Sequence, residues 1–324
     1  MQQDSAGDFA RLRPSNQLAK HLFSRCYLYV KEEDPFHLQF MITLPNQPPA
    51  STEDPVESST DYDSCDPSGY EEHLKDGCFV LSLEKDRTPE FPLLGWRCGR
   101  GSRKLPYRGV DFLLAKPGDI NSKSLASVHF MLKISPQLGL LMLQCGPNKD
   151  VALEVNMNGS WRLLGPEEER LMYQLFTALR IGRCEFELQY TIDPCNRDDF
   201  IARRNRFLKN ATSSLNAYLP GDNVIVRGRF LQFMTVGHGS FGWVTQGADT
   251  WSGNLIAIKE CHITSKSQWP EIEKEVEYGR LFRVRLLLLI FKERKMLKCL
   301  RVEGKRSHST YRCALRTRKS VPLQ

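Results

Sequence analysis

The sequence lacks any long hydrophobic run. Its longest purely apolar stretch, Leu286–Phe291, has six residues, whereas a membrane-spanning helix needs roughly 20. The N-terminus, MQQDSAGDFARLRPS, has no apolar segment after its charged residues, so we expect no secretory signal. These absences argue against a polytopic membrane protein and predict no membrane partner and a cytoplasmic or nuclear location.

Closely spaced metal-ligand pairs are also missing. The ten cysteines stand singly along the chain, and neither a C-x-x-C nor an H-x-x-x-H pair occurs. With no sign of secretion, this spacing predicts reduced thiols rather than a disulfide scaffold. It also predicts no metal site.

The net charge of +7 is unevenly distributed. Residues 279–324 hold 14 Lys or Arg and 2 Asp or Glu, whereas residues 1–278 hold 31 and 36. A basic segment of this kind can bind nucleic acid, and a nucleic-acid binder is one alternative for the whole protein. We favour a plain basic tail and expect no nucleic-acid partner.

Composition divides the first part of the chain into four segments. An N-terminal segment covers 1–44, where Cys26–Val30 alternates like a strand. An acidic linker rich in Pro and Ser covers 45–76. Short strands separated by Gly and Pro cover 77–192, which predicts a β-sandwich. One helix is predicted over Pro166–Leu175, because carboxylates occupy its first turn, where the helix dipole favours them. A connector helix and linker cover 193–228.

Three stretches of the predicted sandwich follow a known pattern: Gly95-Trp-Arg-Cys-Gly-Arg100, Leu125-Ala-Ser-Val-His129 and Asn158-Gly-Ser160. They resemble the forkhead-associated (FHA) domain, a β-sandwich that binds phosphothreonine peptides through its loops. The resemblance implies that Arg100 and Asn158 bind phosphopeptide and that His129 braces the loops.

Two positions depart from this FHA pattern. Ala126 and Ser127 occupy the positions of the family's Ser and Arg, and neither can make the bidentate hydrogen bonds of a guanidinium. We therefore expect no phosphothreonine binding of the usual kind, and a sandwich that docks a protein partner.

A glycine motif follows in the second half of the chain. Gly237, Gly239 and Gly242 form G-x-G-x-x-G between an apolar strand, Phe230–Val236, and a returning strand, Trp243–Gly247. A dinucleotide-binding fingerprint would open a helix at this point, and TQGADTWSG is not helical. The motif therefore predicts a glycine hairpin.

A lysine and a glutamate complete the pattern. Lys259 ends the apolar strand Leu255–Lys259, and Glu275 lies on a predicted helix over Pro270–Phe282. Together with the hairpin, they strongly resemble the N-lobe of eukaryotic Ser/Thr protein kinases, an antiparallel sheet with one helix, over residues 229–282. The resemblance implies ATP and Mg²⁺ as cofactors, a catalytic pair of Lys259 and Glu275, and ATP contacts from Val236, Gly237, Gly239, Phe241, Gly242, Val244, Ala257 and Lys259.

The catalytic and magnesium-binding loops of that family have no match after Lys259. Neither H-R-D-x-x-x-x-N nor D-F-G occurs, and residues 260–324 contain no Asp. We expect this chain to be inactive as given, with residues 283–324 forming an irregular or disordered tail outside native kinase sequence.

The sequence thus predicts a multidomain protein in which an FHA-like sandwich precedes a kinase N-lobe, as in checkpoint-type kinases. ATP binding and phosphoryl transfer to protein Ser or Thr are implied by the resemblance. The alternative is a non-catalytic adaptor or nucleotide-binding fragment that acts through its FHA-like domain.

Overall fold

The structure is a computed structural model that describes residues 7–44, 74–101, 109–148, 152–208, 219–220, 224–239, 242–263, 266–281, 286–292 and 296–302. Beyond Cys261, side chains are described only at residues 267–274 and 277. The predicted acidic linker lies outside the described residues except for 74–76. Two compact units are present, Met1–Leu231 with Ala248–Leu255 and Gln232–Gly247 with Ile256–Gln324.

Strands outnumber helices in the described part of the first unit. Its helices are α1 (Gln17–Glu33), α2 (Pro35–Leu38) and α3 (Arg197–Leu208), and short 3-10 turns lie at Lys85–Arg87, Ile120–Ser124 and Pro194–Asn196. The strands are β1 (Asp8–Pro14), β2 (Met41–Thr43), β3 (Gly77–Ser82), β4 (Trp96–Gly99), β5 (Phe112–Leu113), β6 (Phe130–Ile134), β7 (Leu141–Cys145), β8 (Leu153–Met157), β9 (Ser160–Leu164), β10 (Glu169–Met172), β11 (Phe176–Ile181) and β12 (Cys184–Tyr190).

These strands form two sheets, in the orders β2-β3-β1-β12-β11-β8-β9 and β10-β7-β6-β4-β5. The predicted sandwich-rich, multi-sheet architecture is confirmed. The N-terminal segment supplies a central strand, because β1 pairs antiparallel with both β12 and β3. The register places Ala10 opposite Tyr190 and Leu12 opposite both Leu188 and Phe79.

The strand predicted over Cys26–Val30 is wrong, because these residues lie in α1. Asn16 caps the helix by accepting a hydrogen bond from the Ala19 N–H at 3.0 Å. Leu22, Cys26 and Val30 are buried at four-residue spacing, which is a helical period. The Cys26 thiol donates to the Leu113 carbonyl at 3.0 Å, so α1 packs against the strand region around β5.

Aromatic side chains fill the core between the sheets. The ring of Phe79 stacks on Phe112 at 5.3 Å, and Trp96 is fully buried with its indole edge-on to Phe9. The connector helix predicted from the sequence is confirmed as α3. Its Phe207 ring stacks on Trp96 at 6.0 Å, so α3 packs on the sandwich core.

The helix predicted over Pro166–Leu175 is also wrong, since Glu169–Met172 forms β10 and pairs with β7. A turn occupies the position where the acidic first turn of the predicted helix was expected. Glu168 accepts a hydrogen bond from the Gly165 N–H at 2.8 Å, and Glu167 has a φ of 60°. Pairing with β7 therefore overrides the local helix signal.

The remaining strands form a six-stranded sheet. They are β13 (Ile225–Arg227), β14 (Phe230–Gly239), β15 (Gly242–Asp249), β16 (Leu255–Ile263), β17 (Leu286–Lys292) and β18 (Met296–Val302), in chain order across the sheet. A 3-10 turn at Lys266–Gln268 and helix α4 (Trp269–Leu281) connect β16 to β17. The predicted return of the chain as a strand after the glycines is confirmed.

One expectation for this region is wrong. The sheet continues past the predicted N-lobe of residues 229–282, where β17 joins it parallel to β16; a strand–helix–strand crossover brings the chain back in the same direction. The tail is not irregular throughout, because β17 and β18 form an antiparallel pair. The apolar run Leu286–Phe291 supplies most of β17, and such a run suits a strand.

Among the described residues, no helix is long and apolar enough to cross a membrane.

Candidate functional site

The glycine hairpin of β14 and β15 is the first element of the candidate site. Near its outer end, Thr235, Val236, His238 and Gly239 are exposed. A Cβ built on Gly237 would meet no atom within 4 Å. The outer part of the hairpin therefore offers accessible backbone that a ligand can approach without a side-chain clash.

Gly242 has a different role from the other two glycines of the motif. Its φ is 152°, and a Cβ at this position would lie 1.7 Å from the carbonyl oxygen of Glu260. Only glycine allows β15 to approach β16 this closely. Gly242 is therefore required for packing within the sheet.

Lys259 is the second element of the site. The residue is only 8% exposed, and a Cβ built on Gly239 would lie 3.8 Å from its Nζ. A strand places alternate residues on one face, so Ala257 shares the face of Lys259. The structure thus brings the predicted lysine up to the predicted hairpin, although the two features come from different strands of the sheet.

A buried polar pair that sequence reasoning missed supports the same strands. The Gln232 amide donates to a carboxylate oxygen of Glu260 at 2.9 Å, and both residues are buried. Because β15 lies between β14 and β16, this hydrogen bond joins two strands that are not neighbours. The available sequence signal was a glutamine inside the apolar strand Phe230–Val236.

The other predicted ATP contacts are only partly described. Val236 is 61% exposed, and Val244 and Ala257 are half-buried. Phe241 lies outside the described residues. Glu275 lies within α4, but its side chain is outside the described part of the structure. The pairing of Lys259 with Glu275 therefore stays a prediction.

His129 sits at the predicted phosphopeptide loops and is fully buried. Its Nδ1 accepts a hydrogen bond from the Ala126 N–H at 3.2 Å, and its Nε2 lies 3.2 Å from the Ala152 carbonyl oxygen. A neutral ring protonated on Nε2 satisfies both contacts. Burial lowers the pKa of His129 from its ordinary value of 6.5 to about 4. These contacts fit the bracing role that the resemblance implies.

The two predicted phosphate ligands, Arg100 and Asn158, lie in different loops of the sandwich. The Arg100 N–H donates to the Ala126 carbonyl at 3.0 Å, which places Arg100 near His129. Asn158 is in the turn after β8, whereas Ala152, the partner of His129, immediately precedes that strand. The use of Arg100 and Asn158 as phosphate ligands stays a prediction.

The Asn158 side chain makes hydrogen bonds with nearby side chains of the sandwich. Its Nδ2 donates to the Tyr173 hydroxyl at 3.3 Å, and its Oδ1 accepts from the Gln174 amide at 2.6 Å. The backbone of Asn158 is left-handed, with a φ of 53°, a conformation that Asn adopts more readily than most residues. These contacts suit a residue that shapes the β8–β9 turn.

Potential metal and thiol chemistry is limited in the described part of the chain. No group of three or more His, Cys, Asp or Glu side chains there could hold a metal ion. The described cysteines are free thiols, and all but Cys195 are buried. Burial raises the pKa of Cys26, Cys98, Cys145 and Cys184, which disfavours their reactive thiolate forms.

Comparison with known proteins gives little further information. No protein-family model and no curated protein matches the chain. The chain is similar to the structure described as "Crystal structure of Rad53 1-466 in complex with AMP-PNP", with 14% sequence identity and a TM-score of 0.36. The match covers 95% of this chain and 58% of the length of that structure. A likeness at this TM-score assigns neither a family nor a function to this chain.

Proposed function

We propose that the glycine hairpin and Lys259 form a nucleotide-binding site, with ATP as the ligand. The observation that carries this proposal is the approach of a buried lysine to the hairpin, where a Cβ on Gly239 would lie 3.8 Å from Nζ. Phosphate oxygens accept strong, charge-assisted hydrogen bonds from an ammonium group.

The residues present fit the triphosphate. Gly237 and Gly239 leave room for phosphates beside the backbone, and Lys259 would pair with the α- and β-phosphates, as in the family. Val236, Val244 and Ala257 would contact the adenine. Glu275 would hold Lys259 in place.

The described residues contain no cluster of side chains that could hold magnesium. Residues 260–324 also contain no Asp. Bound ATP would supply a transferable γ-phosphoryl group. Transfer of that group to protein Ser or Thr rests on the family resemblance alone, as does the docking of a protein partner by the sandwich. The binding step is therefore the part of the proposal to test first.

Equilibrium titration with a fluorescent ATP analogue tests the binding step. We expect saturable binding that unlabelled ATP displaces. Lys259→Met should weaken it at least 10-fold, because a charge-assisted hydrogen bond is worth about 1.5–3 kcal/mol.

The matched control is Lys133→Met, which removes a partly buried lysine paired with Glu169 in the sandwich. This control should bind nucleotide as the wild type does. Equal affinity of the Lys259→Met variant and the wild type would contradict the proposal.

A further inference from the structure

The turn between β15 and β16 contains an aromatic side chain enclosed by two cations. The Arg170 guanidinium lies 4.6 Å from the centroid of the Trp251 ring, and the Arg229 guanidinium lies 4.7 Å from it. Arg170 is also paired with Glu168, and Arg229 with Asp249. We refer to these five residues as the Trp251 stack.

Backbone and packing contacts fasten the same turn to the sandwich. The Thr250 carbonyl accepts a hydrogen bond from the Leu171 N–H at 2.7 Å, on β10 at the end of the five-stranded sheet. A Cβ on Gly253 would lie 2.7 Å from the Met142 sulfur, so the turn packs closely on β7. All of these residues belong to the first unit.

The Trp251 stack is therefore a specific attachment and not a loose surface contact. A cation over the face of an indole is attracted electrostatically by the ring, and here two cations share one ring. Each cation is additionally held by a carboxylate, which restricts the position of its guanidinium. The exposed fraction of Trp251 is 38%, so the stack remains partly accessible to solvent.

The strands that leave this turn carry the candidate site. Strand β15, which contains Val244, ends at this turn, and strand β16, which contains Lys259, begins after it. We propose that the Trp251 stack is a positioning device for the nucleotide site, with Trp251 as its central positioning residue. By fixing the turn, the stack holds the register of the two strands and hence the approach of Lys259 to the glycine hairpin.

This inference rests on the proposed nucleotide binding, and its experiment has two readouts. The full chain would be compared with Trp251→Ala, Trp251→Phe and the matched control Trp161→Ala. Trp161 is a suitable control because its ring also stacks on an arginine, Arg180, at 4.0 Å, but on strand β9 of the sandwich. The readouts are affinity for a fluorescent ATP analogue and amide hydrogen exchange at residues 244–247 and 257–261.

We expect Trp251→Ala to weaken nucleotide binding at least fivefold and to accelerate exchange at both sets of residues. Trp251→Phe keeps an aromatic face for the two cations, so it should restore binding to within about twofold of wild type. Trp161→Ala should change neither readout. Exchange in the β1, β11 and β12 strands should be unchanged in Trp251→Ala, which would show that the sandwich is still folded.

The two readouts separate failure of the positioning role from failure of the proposed function. If the wild type binds no nucleotide but Trp251→Ala accelerates exchange, nucleotide binding is wrong and the positioning of the strands is supported. If Trp251→Ala binds nucleotide and exchanges like the wild type, the positioning role is overturned. Equal changes in Trp251→Ala and Trp161→Ala would also overturn it.

Discussion

Acidification should destabilise the sandwich through His129. In the folded protein, Nδ1 accepts the Ala126 N–H and Nε2 faces the Ala152 carbonyl. Adding a proton to Nδ1 removes the acceptor for Ala126 and places a charge in a fully buried site. Burial lowers the pKa of His129 from 6.5 to about 4.

The magnitude follows from proton linkage. Above pH 6.5 the imidazole is neutral in both states, and the full stability is present. Below pH 6.5 the unfolded chain binds a proton that the folded protein excludes, so stability falls by about 1.4 kcal/mol per pH unit until the pH approaches 4. Between pH 7 and pH 5 the expected loss from His129 is therefore about 2 kcal/mol.

Hydrogen exchange of the slowest sandwich amides at pH 7 and pH 5, corrected for intrinsic rates, measures this loss. His129→Gln cannot gain a proton in this range, so its stability should lack the part of the wild-type loss that comes from the imidazole. His21→Gln, on α1, keeps His129 and should follow the wild-type pH dependence. Parallel pH profiles for the wild type and His129→Gln would show that His129 is not the source of the loss.

Three further predictions concern stability and local packing. Tyr190→Phe should cost about 2–3 kcal/mol in urea unfolding of the sandwich, because the hydroxyl serves two buried backbone groups; a cost too small to measure would contradict this role. Arg204 is fully buried, and burial lowers its pKa to about 10. Arg204→Met should therefore be at least as stable as wild type. Arg204→Ala should be about 3 kcal/mol less stable than wild type. A large loss in the methionine variant would show that the charge itself is needed. Gly242→Ala should accelerate amide exchange in β15 and β16 more than Gly237→Ala, because only the first substitution meets backbone atoms; equal effects would be inconsistent with this packing.

The sequence was most informative where local pattern and tertiary structure agree. The glycine hairpin could be predicted because the motif lies between two strand-like segments, and the connector helix could be predicted from its helical spacing of apolar residues. Both predictions depend on residues close together in the chain. The proximity of Lys259 to Gly239 came from the family resemblance and not from spacing alone.

Long-range pairing explains what the sequence did not reveal. The Tyr27 and Tyr29 alternation suggested a strand, but packing of α1 against the sheets selects a helix. Glu167–Glu169 suggested the start of a helix, but pairing with β7 selects a strand.

The Trp251 stack is a further case of long-range assembly. Its aromatic residue lies in a turn, and its arginines come from residues 170 and 229. Neither arginine has a local signal that distinguishes it from an exposed surface arginine.

Chemical labelling can show whether Lys259 faces a bound nucleotide. An acyl-phosphate derivative of ATP transfers its acyl group to a lysine amine that lies beside the bound phosphates, and mass spectrometry then identifies the lysine. We expect preferential labelling of Lys259, suppressed by excess ATP and unchanged in Lys133→Met. Labelling spread over the lysines of residues 279–324 and insensitive to ATP, with Lys259 unmodified, would contradict it.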